Sequence, residues 1–145
     1  MKRTLGICFA LAVALLTVFS PAFAHHSRSN YGKTLTLQGT VTQFEWTNPH
    51  CLIHIDVKDE TGKVVSWIVE THPPSLNARK GWTKNSLKPG DQVTLYVSAA
   101  KNGQSEGNLV TDPAQPREQG DGLVPEDLSK LGVGVRFTDG RTLAY

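Results

Sequence analysis

The chain has 145 residues, 15 Lys+Arg against 13 Asp+Glu, and 39% hydrophobic residues. Two of the basic residues, Lys2 and Arg3, sit at the very start, and the remainder is formally neutral at 13 against 13. That balance removes the electrostatic case for a nucleic-acid or anionic-lipid partner, and the length suits one compact domain.

Residues 1–24 read as a signal peptide. Lys2 and Arg3 give a positive start, Leu5 to Phe19 is an apolar run broken only by Gly6 and Thr17, and Ala22-Phe23-Ala24 is an A-x-A cleavage site. The run is too short for a spanning helix, and no comparable run follows. Cys8 lacks the preceding small residues of a lipoprotein site, so no membrane anchor is expected after cleavage. Cleavage of 24 residues from 145 would leave 121, beginning at His25, in the periplasm or outside the cell. Cys51 would then be the only cysteine, unable to form an internal disulfide and best read as a small buried hydrophobe.

Residues 25–33 read as a mobile polar arm, and 34–145 as a single domain. From Thr34 the sequence alternates, with Leu35, Leu37, Gly39 and Val41 on one parity and Phe44 and Trp46 on the other. A switch after a glycine predicts a bulged strand that serves two sheet faces. "CLIHIDV" is a second strand with Cys51, Ile53, Ile55 and Val57 inward. "DETG" is a turn, and "VVSWIVET" is a third strand with Val65, Trp67 and Val69 inward. "PPSLNARKG" predicts a helical turn. "LKPGD" turns into the strand "QVTLYVSA", and "NGQSEG" into the short strand "NLVT". Residues 112–122, inside an inserted loop at 112–132, read as mobile surface chain, with one or two helical turns at "PEDLSKLG". "GVGVRFTDGRTLAY" is a hairpin around Asp139-Gly140. The pattern predicts an all-β fold. It would be a small OB-like closed barrel of five to seven strands with one or two short helical turns, and a β-sandwich is the alternative.

Several motifs occur together: His25-His26-Ser27, Gly39 to Val41, Trp46-x-Asn48-Pro49-His50, Trp67 to Glu70, Gly81-Trp82, Leu87 to Val93 and Asp139-Gly140-Arg141. In this combination the chain resembles an uncharacterised family of small exported bacterial proteins, a domain of unknown function. The resemblance covers nearly all of the chain after the signal peptide. It implies a topology and an export route and no activity. The stretch from Asp112 to Gly132 is longer than the family pattern.

Five histidines follow the signal peptide. Pairing the inner faces of strands two and three sets Ile53 against Val69, Ile55 against Trp67 and Val57 against Val65. His50 then falls opposite His72 and Leu52 opposite Glu70, while His54 lies one strand repeat away and faces solvent. After cleavage His25 would carry a free amine that chelates with its own ring, and His26 would add a peptide nitrogen and a second imidazole. Such nitrogen donors suit Cu(II), and Ni(II) or Zn(II) less well. The expected metal ligands are therefore His25, His26, His50 and His72, with Glu70 orienting an imidazole. Against this stands the plain reading of Asn48-Pro49-His50 as a turn and His72-Pro73-Pro74 as a strand exit. No phosphate loop or nucleophile elbow is present, and Glu45 and Glu70 are ordinary strand glutamates, so an enzyme is not expected. Trp67 is placed inside, and Trp46 and Trp82 are left open between core and a binding face. The best reading is an exported periplasmic protein that binds or handles copper. The alternative is an interaction module with an envelope protein partner and no metal.

Overall fold

The computed structural model describes residues 31–113 and 132–145. The expected signal peptide, His25 and His26, and nearly all of the helical turns expected at 125–132 lie outside the described residues. Seven strands and one short helix run in the order β1 (Tyr31–Glu45), β2 (Leu52–Lys58), β3 (Val64–Glu70), α1 (Pro74–Arg79), β4 (Gln92–Ala100), β5 (Glu106–Val110), β6 (Val133–Phe137) and β7 (Thr142–Ala144).

The fold is all-β, and one sheet closes on itself. The first part of β1 pairs with β4 and its second part with β2. The ring then runs β1-β2-β3-β5-β4 and back to β1. Every neighbouring pair in it is antiparallel except β3 with β5, which is parallel. A ring of five strands is what an OB-like closed sheet requires, and among the described residues all seven strands belong to that one sheet, which does not fit a sandwich. β6 and β7 extend the sheet from β4.

β1 serves two neighbours because its register shifts between Val41 and Gln43, where the apolar parity changes. Gly39 sits where the two pairings overlap, opposite Val57 of β2 and Val93 of β4. A Cβ at Gly39 would collide with the Asp56 carbonyl, so the close strand approach requires glycine. β1 also begins at Tyr31, three residues earlier than the sequence pattern suggests, so Tyr31 to Lys33 belong to the strand and not to the arm.

Alternate residues fill the ring: Val41 from β1, Ile53 and Ile55 from β2, Val69 from β3, Val93, Leu95 and Val97 from β4, Leu109 from β5. Each such side chain contributes about 1.5–3 kcal/mol on burial. Trp67, expected inside, packs against this core only partly buried, as does Trp46. Trp82 is the large core aromatic at 2% exposure. It packs near Phe44, with centroids 6.1 Å apart, and its Nε1–H donates to the Ala144 carbonyl at 2.7 Å.

The inserted stretch leaves and rejoins the fold at one place. The Asp112 amide donates to Val133 O at 2.7 Å, and the Tyr145 amide to Gly132 O at 2.8 Å. Asp112 is 5% exposed and accepts from Arg136 Nη2 at 2.8 Å. Placing Asp112 in mobile surface chain is therefore corrected. Its Pro- and Gly-rich surroundings suggest a loop, but its carboxylate is a buried anchor for β6.

Candidate functional site

The β2–β3 ladder keeps the register set by its apolar faces, from Lys58↔Val64 to Leu52↔Glu70. Beyond Leu52 it slips. The Thr71 amide donates to Cys51 O at 2.9 Å, and the Cys51 amide reaches past Thr71 to His72 O at 3.1 Å. His50 and His72 are thus offset by about one residue from a strict facing pair. They remain near enough for the charge of His50 to act on His72.

Each histidine of this region has its own partner. His50 Nδ1 pairs with Glu70 Oε1, so the carboxylate expected to orient an imidazole is in contact with one. His54, expected to face solvent, is only 24% exposed in its side chain and bonds Glu45 Oε1 through Nε2 at 2.7 Å. Glu45 and Glu70 each take a different histidine.

His72 lies flat on the Tyr145 ring, with centroids 4.3 Å apart and planes at 8°. The Lys80 ammonium sits over the same ring, 4.8 Å from its centroid. Asn77 of α1 fixes the strand exit beneath. It is fully buried, and its Nδ2 donates to Thr71 Oγ1 at 2.6 Å and to His72 O at 3.0 Å. Burial pushes the His72 imidazole down to about 4, helped by the charges of Lys80 and His50. The ring is therefore neutral at ordinary pH, the form that ligates metals. Burial also lowers Lys80. Burial and then the charge of Glu70 hold the Tyr145 hydroxyl up.

The first residue of β1 belongs to the same cluster. Burial, then the charges of Glu70 and Glu106, raise Tyr31 against a hydrogen bond with Asn108. Tyr31 thus stands within reach of the Glu70 that holds His50. His26 precedes it by five residues, and an extended chain of that length spans roughly 17 Å. Cys51 is fully buried behind this region, and burial raises its thiol, as suits a core residue. Among the described residues, no group of three or more His, Cys, Asp or Glu side chains is arranged to hold a metal ion.

Tyr145, Lys80 and Tyr31 carry no sequence signal of their own. They come from the residue after β7, the residue after α1 and the start of β1, and only the tertiary fold brings them to this region.

No curated protein and no solved structure matches the chain. Residues 12–109 match a family of unknown function, DUF6152, across more than half of the sequence, and the chain belongs to that family.

Proposed function

We propose that this is an exported envelope protein that binds a copper(II) ion. His50 and His72 would line the floor of the site, and His25 and His26 would close over it after removal of residues 1–24. The observation that carries the reading is the position of Tyr31. Tyr31, five residues after His26 in sequence, lies close enough to Glu70 for that carboxylate's charge to act on it, and Glu70 holds His50. Two imidazoles alone make a weak site. Adding a terminal amine, its chelating ring and a further imidazole gives a nitrogen-rich donor set, and the divalent affinity order then favours copper over zinc. Glu70 on Nδ1 fixes the tautomer of His50, as outer carboxylates do for ligating histidines. The ligands must shed protons to bind, so affinity falls as the pH drops toward 5.

The test is calorimetric titration of Cu(II) into protein that begins at His25 and into protein that begins at Ser27. One copper per chain is expected in the first and a large loss of affinity in the second. Equal affinities would remove the histidine arm from the site and overturn the reading.

A further inference from the structure

β3 is bonded to β2 along its whole length but meets β5 only from Ile68 onward. The Ile68 amide donates to Ser105 O at 3.1 Å. Backbone direction alternates along a strand, so the N–H and C=O groups of Val64 and Ser66 point the same way as those of Ile68. Among the described residues, no strand meets them. Natural edges are blunted by Lys, Pro or a bulge, and the stretch Val64 to Trp67 has none of these. It carries apolar surface instead. Val64 is 51% and Ile68 44% exposed, the exposed large hydrophobics among the described residues. Both share the outer face of the strand with Ser66.

A groove of about 710 Å³ runs beside this edge, lined by Thr42, His54, Ser66, Ile68, Gln104 and Glu106 among others. Its charge is one-sided. Glu106 lines it, Glu45 holds His54 at 2.7 Å, and Asp56 accepts from Ser66 Oγ at 2.6 Å. No Lys or Arg is among the residues that line it.

We propose that the open edge of β3, from Val64 to Trp67, receives an extended peptide segment of a partner protein that turns both apolar and basic side chains to the outer face of the sheet. The peptide backbone continues the ladder at Val64 and Ser66, which supplies affinity. Val64, Ser66, Ile68 and Glu106 share the outer face, so residues two apart in the peptide do the work: an apolar side chain covers Val64 or Ile68, and a Lys or Arg at the next same-face position reaches Glu106 and the carboxylates behind His54 and Ser66. A second copy of this chain is a poor occupant. Its own Val64–Trp67 segment offers no basic residue and brings the same carboxylates into the groove. β5 also blocks the edge from Ile68 onward, which leaves a length suited to a short segment. This surface is independent of the copper reading and needs none of its ligands.

The experiment follows backbone amide signals of the full chain while adding capped peptides of sequence Val-Thr-Lys-Thr-Val or Val-Thr-Glu-Thr-Val, which place two valines and the charged residue on one face. The lysine peptide should shift the signals of Val64, Ser66 and Gln104 to Glu106 and slow amide exchange at Val64 and Ser66. The glutamate peptide should bind at least tenfold more weakly. The double change Val64→Lys with Ile68→Lys should abolish binding. If that protein does not fold, Glu106→Gln, which leaves β3 intact, should narrow the difference between the two peptides. Equal binding of both peptides, shifts confined to other surfaces or no shift at all would overturn the proposal. So would concentration-dependent shifts at Val64 and Ser66 without peptide, which would mark a second copy on the edge.

Discussion

The imidazole of His72 and the phenol of Tyr145 stack at 4.3 Å, joining the exit of β3 to the residue after β7. The stack keeps His72 out of water on one face, and that burial is the main reason its ring resists protonation.

A pH dependence of stability follows. His72 titrates at about 4 in the folded chain, against 6.5 for its ordinary value. Between those values the unfolded chain binds more protons than the folded one. The stabilisation is therefore complete above about pH 6.5 and is lost as pH falls toward 4, to the extent of roughly 2–3 kcal/mol. Urea unfolding at pH 7 and pH 4.5 should show this fall in the native protein and a smaller one in His72→Phe, which keeps a flat ring and cannot titrate. The same fall in both proteins would place the acid sensitivity elsewhere.

Trp82 joins the chain after α1 to the C-terminal strand through its bond to Ala144 O. Trp82→Ala should cost about 3–5 kcal/mol in denaturant unfolding. Trp82→Phe should cost less, about 1–3 kcal/mol, chiefly because it leaves the Ala144 carbonyl without its donor.

At Gly39 the constraint is steric. Gly39→Ala should destabilise by more than about 2 kcal/mol, because the new methyl meets the Asp56 backbone and neither strand can move without breaking a pairing of β1. Thermal unfolding would read the change directly. A melting temperature equal to that of the native protein would show that β1 can part from β2 at little cost.

Asp112 and Arg136 form the fourth test. The carboxylate is buried while Arg136 is partly exposed. Arg136→Ala, which removes the cation beside the buried carboxylate, should therefore be the costly change, on the order of 2–3 kcal/mol, and Arg136→Lys, which keeps a cation there, the mild one. Guanidinium unfolding of the two single variants would rank them.

The register of β2 against β3 was legible because the two runs of apolar residues admit one alignment that keeps both inner faces together. The bulge in β1 was legible for the same reason, as a change of parity after Gly39. The slip at Cys51 was not, since it depends on Asn77 reaching from α1 to hold Thr71 and His72. The roles of the tryptophans were not legible either. Trp67 follows the inward parity of β3 yet stays partly exposed, whereas Trp82, outside any strand, is buried by Phe44 of β1 and the carbonyl of β7. Glu70 was recognised beside the histidines through local pairing. Tyr31, Lys80 and Tyr145 were missed because they meet only in the tertiary fold, from segments far apart in sequence.

The paired backbone bonds at Asp112–Val133 and Gly132–Tyr145 form a closed neck. Whatever chain joins residue 113 to residue 132 departs and returns at the same spot, and the five-strand ring is complete without it. This neck is a natural handle. A reporter domain or an affinity tag spliced between residues 113 and 132 would leave the five strands of the ring and the N-terminus unmodified.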